Sequence, residues 1–158
     1  MKINNDEKEY YSNTLKCYFF LKRKENELNK EILRLDEKIE SEQTYVAANG
    51  YDSVVAGSGC SVTVPKSQSV NYLVAKQLDI QKLRDNIIEK YNSLDQLNDI
   101  KYRLSKLDVE SRMIINYVFE RNLSLEFISK MEKKKVSKQT ISNRLNLAIE
   151  EFIKHEKK

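Results

Sequence analysis

NGYDSVVAGSGCSVTVPK, residues 49–66, holds every glycine and the single proline of the chain: Gly50, Gly57, Gly59 and Pro65. On either side of this window nothing strongly interrupts a helix. β-Sandwiches, barrels and doubly wound sheets need turn residues throughout their length, so this distribution excludes them and predicts an all-α chain. Inside the window Val62 and Val64 alternate with Ser61 and Thr63, as in a short strand, and Asn49-Gly50 suits a tight hairpin turn. Residues 44–69 therefore read as a flexible connecting loop with a minor hairpin, and Ala47 to Lys66 are expected to be mobile.

Upstream of the loop, residues 1–43 read as a first long helix. Leu21, Leu28 and Leu35 recur every seventh residue, and Tyr18, Ile32 and Ile39 take the interleaved positions, with a break at Glu25. Tyr18, Phe19, Phe20 and Leu21 make one end apolar nearly all round, which predicts burial on more than one side. Downstream, residues 70–104 read as a second long helix with Leu73, Ile80, Ile87 and Leu94 in heptad register. Leu83, Leu97 and Leu104 are the expected partner positions. Two seamed helices joined by a loop predict a long antiparallel coiled-coil hairpin. So small a core invites a second copy, and a homodimer is expected.

Residues 105–158 change to short elements. Asp108 is placed to cap a helix over Val109 to Glu120, with Met113, Ile114, Tyr117 and Val118 inward. Asn122, Leu123 and Ser124 form a turn, and Ser124 caps a helix whose Phe127, Ile128 and Met131 face inward. Ser137 caps a last helix from Lys138 to about His155, with Ile141, Leu145, Ala148, Ile149 and Phe152 as its stripe.

Charge separates the two parts. Of 28 basic and 24 acidic residues, residues 101–158 carry 14 and 8, a net of +6, against −2 for the rest. Between Glu132 and Glu150 there is no acid at all. A short helix, a turn and a capped longer helix predict a helix-turn-helix, whose second helix enters the major groove of double-stranded DNA. Its outward face offers Lys138, Gln139, Ser142, Asn143 and Asn146. Gln and Asn can pair bidentately with adenine, and Lys reaches guanine or phosphate. Lys135 and Arg144 flank them for phosphate contact, and Ser137 puts a positive helix end near the DNA backbone.

The stretch from Leu104 to Phe152 also resembles region 4 of sigma-70-type factors, through Leu123-Ser124, Ile128, Val136-Ser137, Thr140-Ile141, Arg144-Leu145 and Ala148. It departs from that pattern in having Ser129 after Ile128, no glycine in the turn, and a longer spacing from Ile128 to Val136. With the long hairpin before it, the chain resembles the ArpU-like phage transcriptional regulators. The resemblance implies a sigma region 4-like helix-turn-helix domain in a phage or prophage regulator acting in the bacterial cytoplasm. The alternative is a coiled-coil interaction module that docks a protein such as bacterial RNA polymerase.

Other chemistry finds little support. The lone His155 sits beside Glu156 in a basic tail, and Gly57-Ser58-Gly59 lacks the Lys of a phosphate loop. Cys17 and Cys60 form no metal-binding pair and fit a reducing compartment. No apolar run is long enough to span a membrane, and the polar start MKINNDEKEYY does not read as a secretory signal. No enzyme activity, cofactor, metal or membrane association is expected.

Overall fold

A computed structural model describes residues 2–49, 66–132 and 135–156. Among these residues the chain is helical, without strands. Its helices are α1 (Asn5–Asn49), α2 (Lys66–Asn98), α3 (Ile100–Lys106), α4 (Val109–Ile115), α5 (Leu125–Met131) and α6 (Lys138–Lys154). A π-helical turn, Asn116–Glu120, continues α4. Both long helices reach further toward the glycine window than expected, so Ala47 to Asn49 and Lys66 are helical rather than loop. The expected hairpin at Val62 and Val64 falls in residues 50–65, outside the described residues. No described helix is long and apolar enough to cross a membrane.

The chain divides into two compact units: Lys24–Ile87, and Met1–Arg23 with Ile88–Lys158. In the first, α1 and α2 face one another through Ile32, Leu35 and Ile87, which are buried, and Leu28 and Ile80, which are half-buried. Polar side chains complete the contact. Gln77 donates to the Ile32 carbonyl at 3.3 Å and to the Asp36 carboxylate, and Arg84 donates to Asn29 Oδ1 at 3.3 Å. The positions interleaved with Leu73, Ile80 and Ile87 are thus Gln77 and Arg84, four residues on. Leu83 and Leu97, three residues from heptad positions, are 51% and 80% exposed. The expected partner register is therefore wrong for both leucines.

The other unit is a cluster of short helices around the start of α1. At Asp99 the backbone enters the left-handed region (φ 53°, ψ 40°) that Asp tolerates better than most residues, and this breaks α2 from α3. Asp95 holds the break: its carbonyl accepts from Asp99 N–H at 2.7 Å and its carboxylate from Lys101 N–H at 2.7 Å. Asn122, also left-handed (φ 54°), closes the π turn. The Leu123 N–H then donates back to the Tyr117 carbonyl, six residues earlier, at 2.9 Å.

The core of this unit contains Leu15, Tyr18, Phe19, Ile100, Ile115, Phe119, Ile128, Ile141, Ala148 and Phe152. Of the apolar end of α1, Phe20 is instead exposed. The α4 stripe is rotated from its expected setting: Ile114, Ile115 and Phe119 are buried, whereas Met113 is exposed. On α5 only Ile128 is buried, and Phe127 and Met131 lie at the surface. A seven-residue helix turns just one narrow face inward, so a single large anchor suffices there.

Arg103 organises this core while 4% exposed. Its Nε donates to the Asn98 carbonyl at 2.9 Å, at the end of α2. Its Nη1 donates to the Phe152 and Ile153 carbonyls of α6 at 3.2 and 2.7 Å, and Nη2 to the Tyr11 hydroxyl at 3.3 Å. The guanidinium also stacks over the Tyr11 ring, 4.9 Å from its centroid. The last carbonyls of a helix have no partners within it, and their dipoles favour a cation. Arg103 meets both demands for α6 without a carboxylate. Arg23 does the same for the π turn, donating to the Phe119 and Glu120 carbonyls.

Candidate nucleic-acid interface

The three expected caps of the C-terminal helices form. Asp108 accepts from Ser111 N–H at 2.8 Å, Ser124 from Phe127 N–H at 3.1 Å and Ser137 from Thr140 N–H at 3.1 Å. The Ser111 hydroxyl first, and its backbone N–H second, hold the Asp108 carboxyl below its usual acidity range by hydrogen bonding to the carboxylate. Its lowered folded-state pKa contributes stability above the unfolded value, which is lost as pH falls through the folded one. The Ser137 hydroxyl also contacts Thr140 Oγ1 at 2.9 Å. It is therefore occupied in starting the helix, and what α6 presents to an anion is the positive N-terminal end behind that cap.

Helix α6 has three faces. Ile141, Ala148, Ile149, Phe152 and Ile153 are buried, with Leu145 half-buried, and this face packs on α4 and α5. The second face carries Lys138, Gln139, Asn143 and Asn146, all exposed, with Ser142 half-buried among them. Gln139 Nε2 donates to Asn143 Oδ1 at 3.1 Å. Each amide thereby braces the other on the same surface, one turn apart, leaving Gln139 Oε1 and the Asn143 amino group to meet a base edge. Lys135, just before the cap, is exposed.

Arg144 lies on the third face with Leu147, Glu151 and Lys154, and is ion-paired to Glu132 at 3.2 Å. That pair uses one Nη1 donor of the guanidinium, and a phosphate would compete with Glu132 for its charge. The pair is half-exposed, so the exchange costs little. At the far end Glu150 pairs with Lys8 of α1 at 2.6 Å, which removes the first acid after the polar face from free solution. Among the described residues no group of three or more His, Cys, Asp or Glu is arranged to hold a metal ion.

Arg103 carries little signal in the sequence. It is only a basic residue in a short amphipathic stretch, and its acceptors lie on α2, on α6 and on Tyr11, far away along the chain. The third face of α6 is likewise not evident from the sequence as a surface of its own. No protein-family model, no curated protein and no solved structure matches the chain.

Proposed function

We propose that the chain is a DNA-binding transcriptional regulator whose α5 and α6 form a helix-turn-helix, with the polar face of α6 as its reading surface. One observation carries this reading. Gln139 and Asn143 are held side by side at the exposed start of a capped helix, beside exposed lysines and in a stretch of sequence free of acids. Solvated helix faces ordinarily mix lysine with glutamate. A face built from Lys, Gln, Ser and Asn can pair with base edges and does not repel phosphate. Lys135 and Lys138 then supply phosphate contacts, joined by Arg144 once it leaves Glu132. The facing helices α1 and α2 would serve self-association, as a coiled-coil hairpin in a homodimer, or contact with bacterial RNA polymerase. The resemblance to sigma region 4 and to ArpU-like phage regulators points the same way.

The test begins by selecting tight duplexes from a randomised pool with the full chain. Gln139→Ala and Asn143→Ala are each expected to lose about 1–3 kcal/mol on the selected duplex and almost nothing on a random one. Lys135→Ala and Lys138→Ala are expected to weaken both duplexes alike. If all four variants bind both duplexes as the parent does, α6 does not read DNA.

A further inference from the structure

Beside the polar face of α6, one turn further along the helix, α4, α5 and α6 enclose an open groove of about 600 Å³. Its floor is apolar: Met113, Ile114 and Tyr117 from α4, Ile128 from α5 and Leu147 from α6. Met113 and Leu147 are largely exposed there, although the unit has a full core beneath them. The rim is acidic. Asp108 and Glu110 stand at one end, and Glu132, Glu150 and Glu151 along the sides, against two cations, Arg144 and Lys154. Glu110 is exposed and Asp108 is engaged in its cap, so this end of the rim is negative. Glu150 is held by Lys8 at 2.6 Å, whereas Glu132 and Glu151 hold surface partners at 3.2 Å (Arg144) and 3.6 Å (Lys154), contacts weak enough to be exchanged for a ligand's cations.

We propose that this groove receives a basic amphipathic helix of a protein partner. Apolar anchors would fill the floor over Met113 and Leu147, and lysines or arginines would meet Glu110, Glu132 and Glu151. The acidic rim argues against nucleic acid, since phosphate would be repelled there, whereas the adjoining polar face of α6 carries no acid. It favours a cationic partner by charge complementarity. A helix suits the site because the described residues offer no strand edge to pair with. A segment entering an apolar groove must then satisfy its own backbone hydrogen bonds. Methionine at the floor adapts to the anchor it meets. Arg144 belongs to both surfaces: pairing with Glu132 turns it to the groove, and releasing Glu132 frees it for phosphate.

The probe is a synthetic amphipathic peptide with leucines on one face and lysines on the other, compared with a twin in which glutamates replace the lysines. Methyl NMR of the full chain is expected to show saturable shifts at Met113 and Leu147 with the lysine peptide and none with its twin. Leu147→Asp, at an exposed position that leaves the fold intact, is expected to weaken the lysine peptide about tenfold or more. Glu110→Lys gives an independent check: it should weaken the lysine peptide and improve binding of the glutamate peptide. Equal binding of the two peptides, shifts that spare Met113 and Leu147, or Leu147→Asp binding like the parent would each overturn the proposal. So would a concentration-dependent dimer that Leu147→Asp abolishes, since a second copy would then occupy the groove.

Discussion

The unit built from Lys24–Ile87 and the unit that contains α3 to α6 bury polar groups in different ways. In the first, Gln77 and Arg84 sit at alternate contact positions of α2 and reach the edges of α1 through partly exposed bonds. In the second, Arg103 lies inside the core and reaches carbonyls of two helices and a tyrosine hydroxyl. Among the described residues no buried side-chain nitrogen or oxygen lacks a hydrogen-bond partner. Polar residues in the first unit trade some apolar burial for register. In the second, one buried polar residue satisfies the carbonyls where two helices end. Water can replace a lost partner at the first kind of site and cannot at the second.

That contrast is open to attack by substitution. The largest effect is expected in the helical cluster. Phe152→Ala removes a fully buried ring and should cost about 3–5 kcal/mol. Arg103→Met, which keeps the volume but orphans the ends of α2 and α6, should cost about 3 kcal/mol or more. Thermal or urea unfolding of each variant measures both. If Arg103→Met unfolds like the parent, the carbonyls it serves find water and the cluster does not depend on it.

An intermediate effect belongs to the facing helices. Leu35→Ala should cost about 2–4 kcal/mol, because Leu35 is buried, though in a narrower core than that around Phe152. Gln77→Leu, by contrast, should be close to neutral, since its bonds are water-accessible and an apolar residue suits the contact position. A loss comparable to that of Leu35→Ala would show that the bonds of Gln77 matter as much as those of Arg103, and the contrast between the units would fail. The smallest effect should come from Leu83→Ala. It is expected to stay within about 0.5 kcal/mol, because that side chain is half in water. Leu83 thus checks the register of α2 directly.

The same residues explain how much of the molecule is legible in its sequence. The all-helical character follows from where the glycines and proline are placed, and the caps at Asp108, Ser124 and Ser137 follow from local chemistry between neighbours. The stripe of α6 is legible because its seventeen residues repeat the helical period several times. The partner register of α2 is not, because Gln77 and Arg84 are polar and a search for apolar periodicity passes over them in favour of Leu83. Phe127 and Met131 mislead for a related reason: seven residues of α5 are too few to fix which apolar side chain turns inward. The stripe of α4 turns onto Ile115 and Phe119 rather than Met113, and nothing local in the sequence announces the widened turn that follows it. The polar face of α6 is visible as residue types, but the bond between Gln139 and Asn143 and the diversion of Arg144 to Glu132 require the fold.

If α6 meets duplex DNA as proposed, the affinity of the full chain for a selected duplex must fall steeply across a salt series. Each phosphate neutralised by a lysine or arginine releases condensed counterions, so the logarithm of affinity falls linearly with that of salt concentration. With Lys135, Lys138 and Arg144 as contacts, a slope of about −3 is expected, reduced by roughly one in Lys135→Ala. A flat salt response, or no binding even at low salt, would mean that α6 does not meet DNA.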